Sequence, residues 1–469
     1  MIDLKRIENY RENNRIEAKK ALGGLPKSIW ETYSAFANTL GGVILLGVRE
    51  DKDKSLHPVR LPNPERLLDE FWKIINDTSK VSANILTKKH VEIVGVGDSR
   101  FIAITVPRAA RQDRPIYIGT DAYLGSYRRS GEGDYRCTIE EIKGMFRDAS
   151  KTARDMRPIA VMDINAFEEN SVAEYRRALL QIKPHTPLAA LTKEAFLEKI
   201  GAAAKDEKGV LRPTNAGLLM LGKIEDIKER YPYYHVSFEE RKNVRKTNEE
   251  NVFDRCVGQN VFSFFTSVNG RILENLQNVD KDVQNAATEA LTNCLVNADY
   301  YARGGIYVTY KRSEIVFSNP GGFRLSVEKA KTGGVSDPRN VGMLHLFQQI
   351  GVGSGTGSGI PGIFALWGKD GRGVPIIRES FHPDRVSVIL PFVKSSGKRN
   401  VIKSKAGKQS FGEEEERAVI EFLTEKIRAS ISEICEALCL PSTDVKAILI
   451  ELTNSGVLRQ EKNLYMLKS

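Results

Sequence analysis

Cysteine is scarce in this chain of 469 residues. There are five, Cys137, Cys256, Cys294, Cys435 and Cys439, scattered and odd in number. That excludes a disulfide framework. Only Cys435 and Cys439 are close enough to share a helical face, and without a second pair or a nearby histidine they read as part of a helix rather than a zinc site. The six histidines form no HExxH-type cluster. No apolar run approaches the roughly 20 residues needed to cross a bilayer, and the N-terminus, MIDLKRIENY, lacks the apolar core of a secretory signal. No internal repeat is visible. A cytoplasmic protein with no membrane partner is expected.

Charge, by contrast, is plentiful. The formal net charge is +10 and the isoelectric point about 9.1, which favours an anionic partner, nucleic acid first. Hydrophobic content of 41% and charged content of 28% are ordinary for a globular chain. At about 150 residues per domain, roughly three domains are expected.

One stretch, residues 11–51, gathers chemistry. Glu12 and Glu17 stand five apart, followed by Lys19, an amphipathic segment ending in Phe36-Ala37-Asn38-Thr39, a Gly41-Gly42 turn, and an apolar run, 43–48, that opens onto Glu50-Asp51. The run reads as a buried strand. Carboxylates at the end of a strand and beside one lysine make a candidate cation or phosphate site.

Elsewhere in residues 1–150, helices are expected at 29–40 and 64–77, and paired strands at 91–96 and 101–106 across Gly97-Asp98-Ser99-Arg100. Strands are also expected around the turn at Gly119-Thr120-Asp121. Thr138 and Glu141 have the spacing of a capping box for a short helix through Phe146. Residues 151–280 form a mixed connecting region, with helices at 171–181, 192–200 and 254–277, a strand at 236–239 and a charged loop at 242–250. A further domain, 281–395, carries a helix at 284–296, strands at 306–310 and 314–318, a tight turn at 319–322, a helix at 340–350, a glycine run at 351–362 and a closing strand at 386–393. A basic linker, 396–411, leads to 412–469, where three helical patterns and a hairpin outline a winged helix. The expected fold class is α+β, multidomain.

Glu12-x4-Glu17-x-Lys19, Ala35-Phe36-Ala37-Asn38-Thr39-x-Gly41-Gly42 and Gly47-Val48-x-Glu50-Asp51 together resemble the Schlafen or AlbA-like domain family over about the first 150 residues. Ala122 to Gly131, AYLGSYRRSG, resembles its late strand, with Arg128 and Arg129 where a basic residue is usual. The resemblance implies an α/β nucleic-acid domain. In its ribonuclease branch it implies three carboxylates, here Glu12, Glu17 and Glu50, that hold Mg²⁺ or Mn²⁺ and cleave transfer or ribosomal RNA, with Lys19 beside them. Glutamate stands at 50 where aspartate is usual, and alanine at 18 where a bulky apolar residue is usual.

Glu289-x3-Asn293-x3-Asn297, the 319–322 turn and the glycine run resemble a divergent histidine-kinase-type (GHKL or Bergerat) ATP-binding module, an α/β sandwich. That implies Glu289 as water activator, Asn293 as Mg²⁺ holder, Asn297 as the next polar position, and Gly321, Gly355, Gly357 and Gly359 at the nucleotide. Ser318-Asn319-Pro320 stands where that class carries its adenine-reading aspartate. Residues 211–222 resemble the connecting segment of the same multidomain proteins. The expected activity is a metal-dependent endoribonuclease acting on RNA and gated by a nucleotide such as ATP, in stress response or phage defence. The alternative is a non-catalytic, ATP-responsive transcriptional regulator that binds DNA. The C-terminal module is expected to read DNA or to hold copies of the chain together as a homo-oligomer.

Overall fold

The structure is a computed structural model. It describes residues 4, 7, 10, 12–150, 152–241, 252–254, 259–353, 355, 357–381, 383–392, 419–420, 422–423, 426, 428–438, 442–454, 457–461 and 464–467. The charged loop expected at 242–250, the basic linker at 396–411, Cys256 and Cys439 lie outside these. The chain divides into two compact units, one of Met1–Phe146 with Asn400–Ser469, the other of Arg147–Arg399. The architecture is α+β and multidomain.

The N-terminal part of the first unit is built on a four-stranded sheet. Strand β1 (Ile16–Lys19) pairs in parallel with β2 (Gly42–Leu46), and β2 pairs antiparallel with β6 (Ser99–Val106), which pairs with β5 (Val91–Val96). Between β1 and β2 runs helix α1 (Ile29–Asn38), the crossover that a parallel pair requires. It is buried on several sides, and Tyr33 and Phe36 have no exposed surface. Burial of each contributes on the order of 2 kcal/mol. Helix α2 (Pro64–Ile75) starts where Asn63 accepts from the Arg66 N–H and Pro64 fills the first turn, and it buries Leu67, Phe71 and Ile75.

The apolar run expected as one strand over 43–48 is interrupted. Gly47 has φ +90°, and a Cβ there would stand 2.6 Å from the Leu61 side chain. The chain turns at Gly47 and resumes as a short strand β3 (Val48–Glu50), paired with β4 (Leu56–Pro58). The segment 16–19, read from sequence only as a charged spacing, is the edge strand β1. Residues 122–125 form a short helix α3 (Ala122–Gly125), capped by Asp121, rather than a strand. A hairpin of β7 (Tyr127–Ser130) and β8 (Gly133–Arg136) follows. Helix α4 (Ile139–Ala149) begins with the expected capping box, the Glu141 carboxylate accepting from the Thr138 N–H at 2.7 Å.

The second unit opens on helices α5 (Glu169–Ile182) and α6 (Lys193–Ile200), the latter capped by Thr192 as expected. A small hairpin, β9 (Ala203–Lys205) with β10 (Leu211–Pro213), precedes α7 (Asn215–Leu221) and α8 (Ile224–Arg230). Its main sheet has six strands in the order β12-β11-β13-β14-β16-β15. These are β11 (Val236–Arg241), β12 (Val252–Asp254), β13 (Ile306–Tyr310), β14 (Glu314–Pro320), β15 (Ile376–Ser380) and β16 (Arg385–Pro391).

β11 and β13 are parallel, so the chain crosses between them, through helices α9 (Val261–Asn275) and α10 (Lys281–Val296). The long helix expected over 254–277 starts only at Val261. Asp254 instead ends β12, opposite Glu239, and the Asn260 side chain caps α9 at the Ser263 N–H. Alternation along β13 buries Ile306 and Val308 and exposes Tyr307, the mark of a sheet covered on one face. Three more helices complete the unit: α11 (Val327–Thr332), α12 (Val341–Gln349) and α13 (Gly359–Trp367).

At the C-terminus, helices span Ile431–Leu438 and Ser442–Asn454. Three short strands follow the order β17 (Ala429–Ser430), β19 (Leu464–Leu467), β18 (Leu458–Glu461), around a core that includes Val445, Ile448, Leu449 and Tyr465.

Candidate functional site

Two sites emerge, one in each unit. In the first, parallel pairing of β1 with β2 sets Glu17 opposite Ile44 and Lys19 opposite Leu46. Glu12, just before β1, folds back so that its Oε1 accepts from the Ala18 N–H at 2.9 Å. Lys19 Nζ lies 2.8 Å from Glu17 Oε1, and Arg129 Nη2 lies 2.8 Å from Glu17 Oε2. Glu50, at the end of β3, meets Lys54 Nζ at 3.2 Å, and Lys54 also reaches Glu132. Burial, with the charges of Glu17 and then Glu50 added, pushes the Glu12 carboxyl up to about 7, against the opposing Ala18 N–H and Arg129 cation. The three expected glutamates therefore share one electrostatic neighbourhood. Among the described residues no three His, Cys, Asp or Glu side chains stand at metal-holding spacing. Oxygen donors in a cluster of like charge suit a hard divalent ion by type; at Glu17 an ammonium and a guanidinium supply the positive charge.

Arg128 and Arg129, expected to face nucleic acid, are buried at 2% and 3% exposure. A guanidinium without surface does not meet a phosphate from solution. Arg128 pairs with Glu141. Arg129 also pairs with Asp134 at 2.9 Å, donates to the carbonyls of Asn13 and Ile16, and lies over the Phe36 ring. Thr32 donates to the other oxygen of Asp134 at 2.6 Å.

The Phe36-Ala37-Asn38-Thr39 motif explains how Arg129 arrives there. The Asn38 amide donates to the carbonyls of Ile116 and Tyr127 and accepts from the Ile116 N–H, while Thr39 Oγ1 accepts from the Arg129 N–H at 3.0 Å. Helix α1 thus ties β7 in place, and β7 delivers the arginine to Glu17. Asp134 and Thr32 were not legible as part of the site, since nothing in their spacing marks them.

The second site is a cavity of about 120 Å³ in the second unit. Glu289 and Asn293 of helix α10 and Asn297 at its C-terminal end line it, together with Gly355, Gly357 and Gly359. Residues expected from separate motifs therefore meet around one space. Gly321 is not among the lining residues, but its neighbour Gly322 is. The expected turn over 319–322 begins later than the sequence suggests, because Asn319 and Pro320 complete β14, paired with Val386 and Arg385.

Burial raises the Glu289 carboxyl above its ordinary range, and the Asn293 amide, 3.4 Å away, opposes it. Gly359, where α13 begins, passes so close that a Cβ there would clash with Glu289 Oε1. Gly357, at φ +76°, leaves a Cβ only 2.7 Å from the Val335 backbone. The Cys294 thiol in the wall is buried and pushed up to about 12, so it is a neutral surface rather than a nucleophile.

Arg324 and Arg339 also line the cavity and had no signal in the sequence. Arg339 grips both oxygens of Asp148, 191 residues away, and donates to the carbonyls of Asn297 and Gly322. Arg324 donates to the Pro338 carbonyl at 2.7 Å and pairs with Asp337.

With this geometry in place, residues 12–138 match the family described as Schlafen, AlbA_2. The N-terminal part of the chain is a Schlafen AlbA_2 domain. The glutamates at 12, 17 and 50 and the arginine at 129 all fall within that domain, which makes the protein nucleic-acid-related. Residues 143–237 match a domain of unknown function, DUF8451. Among solved structures, the chain is similar to the DIP2311 protein from Corynebacterium diphtheriae at 16% identity and a TM-score of 0.40, over 97% of this chain and 80% of that one. It is also similar to the N-terminal domain of a RecG-related protein from Nitrosomonas europaea at 25% identity and a TM-score of 0.20, over 29% of this chain and 87% of that one. None of the curated proteins compared matches the chain. No helix among the described residues is long and apolar enough to cross a membrane.

Proposed function

We propose that the Schlafen AlbA_2 domain cuts structured RNA with a divalent ion, Mg²⁺ or Mn²⁺, held by Glu12, Glu17 and Glu50. A nucleotide in the cavity of the second unit gates that activity. The observation that supports the reading is the bond from the Ala18 N–H to Glu12, which folds Glu12 back along β1 into the electrostatic reach of Glu17 and Glu50, with Lys19 beside Glu17. The ion would take the place of the Lys19 ammonium at Glu17 and supply the charge that polarises a phosphodiester and its attacking water. In the cavity, Glu289 and Asn293 on one face of α10 are the groups for a nucleotide with its Mg²⁺. Such a gated nuclease suits a stress or phage-defence setting, and the C-terminal module would serve as a winged helix that reads DNA or joins copies of the chain.

The test is incubation of the full chain with total transfer RNA and Mn²⁺, with and without ATP. Cleavage is expected for the wild type and should fall at least about a hundredfold in Glu17→Gln. Cleavage that persists in both Glu12→Gln and Glu17→Gln would remove the carboxylate mechanism. One observation favours a second reading, a ligand-responsive DNA-binding regulator: Glu17 is already held by two cations. Absence of cleavage with every ligand, together with salt-sensitive binding to DNA, would select it.

A further inference from the structure

Tyrosines gather where two segments of the second unit run side by side. Tyr231, Tyr233 and Tyr234 follow α8, and Tyr300 and Tyr301 follow α10. Buried rings stitch the segments together: Tyr234 stacks on Tyr300 at 6.0 Å, and Tyr231 meets Tyr300 edge-on at 6.3 Å. The rings between and beside them are left outside. Tyr233 is 42% exposed and Tyr301 38%.

Each outer ring carries guanidinium. Arg303 lies over Tyr233 at 5.1 Å, and Arg147 and Arg230 lie over Tyr301 at 5.2 and 5.8 Å. Arg230 is steadied by its Nε, which donates to Asn215 Oδ1 at 3.2 Å. Asp299 pairs with Arg147 at 2.8 Å, but among the described residues no carboxylate pairs with Arg230 or Arg303, and both are exposed. A guanidinium held on a ring by cation–π attraction keeps its N–H edge for an acceptor in its own plane. Phosphate is an acceptor that this edge matches in two bonds.

We propose that this surface binds a single strand of nucleic acid, with its phosphates on Arg230 and Arg303 and its bases against Tyr233 and Tyr301. The two unmatched cations sit on separate rings, which suits the successive charges of a chain better than one small ion. Exposed aromatic surface between cations suits unpaired bases, whose flat faces a duplex keeps stacked on one another. An acidic peptide would supply the charge but not the rings. The net charge of +10 favours the same class of partner. Arg147, Arg230 and Tyr233 fall within residues 143–237, the stretch that matches a domain of unknown function, and the surface gives that stretch a role. None of these residues lines the cavity, and the binding stands whether or not the N-terminal domain cuts RNA.

The experiment follows fluorescence anisotropy of labelled oligouridine with the full chain, in EDTA so that no divalent ion acts, across a series of salt concentrations. Arg230→Gln combined with Arg303→Gln is expected to weaken binding at least about tenfold. The slope of log affinity against log salt should fall by about 1.4, the share of two phosphate contacts on a single strand. Arg312→Gln removes a cation beyond the far end of β13 and should change affinity less than about twofold. Unchanged affinity and slope in the double variant overturn the inference, and so does an equal loss in Arg312→Gln, which would mark net charge alone. No binding by the wild type overturns it as well. A duplex of the same length should lose less affinity in the double variant, and an equal loss overturns the assignment to a single strand. If the double variant lacks a cooperative melt, Arg303→Gln is used alone, since that guanidinium lies on a ring and makes no hydrogen bond among the described residues. Its slope must fall by about 0.7, and an unchanged slope overturns the inference.

Discussion

In the N-terminal domain the carboxylates of the acidic cluster are met by fixed cations: Glu17 by Lys19 and Arg129, Glu50 by Lys54. The cavity of the second unit is lined mainly by amides, glycines and apolar residues, with Arg324, Arg339 and Asp337 at its wall, and its carboxylate on α10, Glu289, has an amide for a neighbour. The first site is organised by charge and fastened through side chains. The second is organised by close backbone approach, with Gly357 and Gly359 admitting helix and loop to the wall. Damage to the first should therefore register mainly as electrostatic instability, and damage to the second as lost space.

The largest effect is expected at Arg129. Replacing it with methionine leaves Glu17 and Asp134 without their buried partner and removes the guanidinium bonds to the Asn13 and Ile16 carbonyls, at a cost of about 3–5 kcal/mol. Urea denaturation would check this, and a loss under about 1 kcal/mol would show that the guanidinium is incidental. At Gly359 the corresponding change is small to large. Gly359→Ala drives a methyl group into Glu289, costs about 1–3 kcal/mol, and should abolish the thermal shift given by ATP with Mg²⁺. A retained shift would place the ligand elsewhere.

A smaller effect concerns pH. The Glu12 carboxyl keeps its proton up to about pH 7 when folded, against an ordinary value of 4.5. Between those values the folded chain binds more protons than the unfolded chain, so stability falls as pH rises through the window. Solvent screening of this partly exposed group limits the change to about 1 kcal/mol. Glu12→Gln should flatten the slope between pH 5 and pH 7 and be the more stable protein at pH 8, as denaturation midpoints would show. The mildest change is Thr138→Ala, which removes the hydroxyl half of the capping box of α4 at about 1 kcal/mol.

Much of both sites was legible because their residues lie close along the chain. Glu289, Asn293 and Asn297 repeat at helical spacing, and all three line one cavity. Glu12, Glu17 and Lys19 sit within eight positions, and their pairing follows from β1 being a strand. What escaped were partners joined by topology alone. Arg339 finds Asp148 across 191 residues, and Asp134 finds Thr32 across 102, with no pattern in either segment to announce it. Arg128 and Arg129 were expected at nucleic acid because the resemblance places a basic residue on that strand. Here the ties of Asn38 and Thr39 turn β7 inward, and the arginines became internal struts. The break at Gly47 was hidden by the apolar residues on both sides of it.

The account depends most on the cluster around Glu17 taking up a divalent ion. Manganese binding to the full chain, followed by electron paramagnetic resonance as free Mn²⁺ is titrated, measures this without reference to any activity. A single class of bound ion is predicted, weakened at least about tenfold in Glu12→Gln and in Glu17→Gln and left unchanged in Gly359→Ala. Binding that is absent from the wild type, or that survives both glutamate substitutions at full strength, would contradict it.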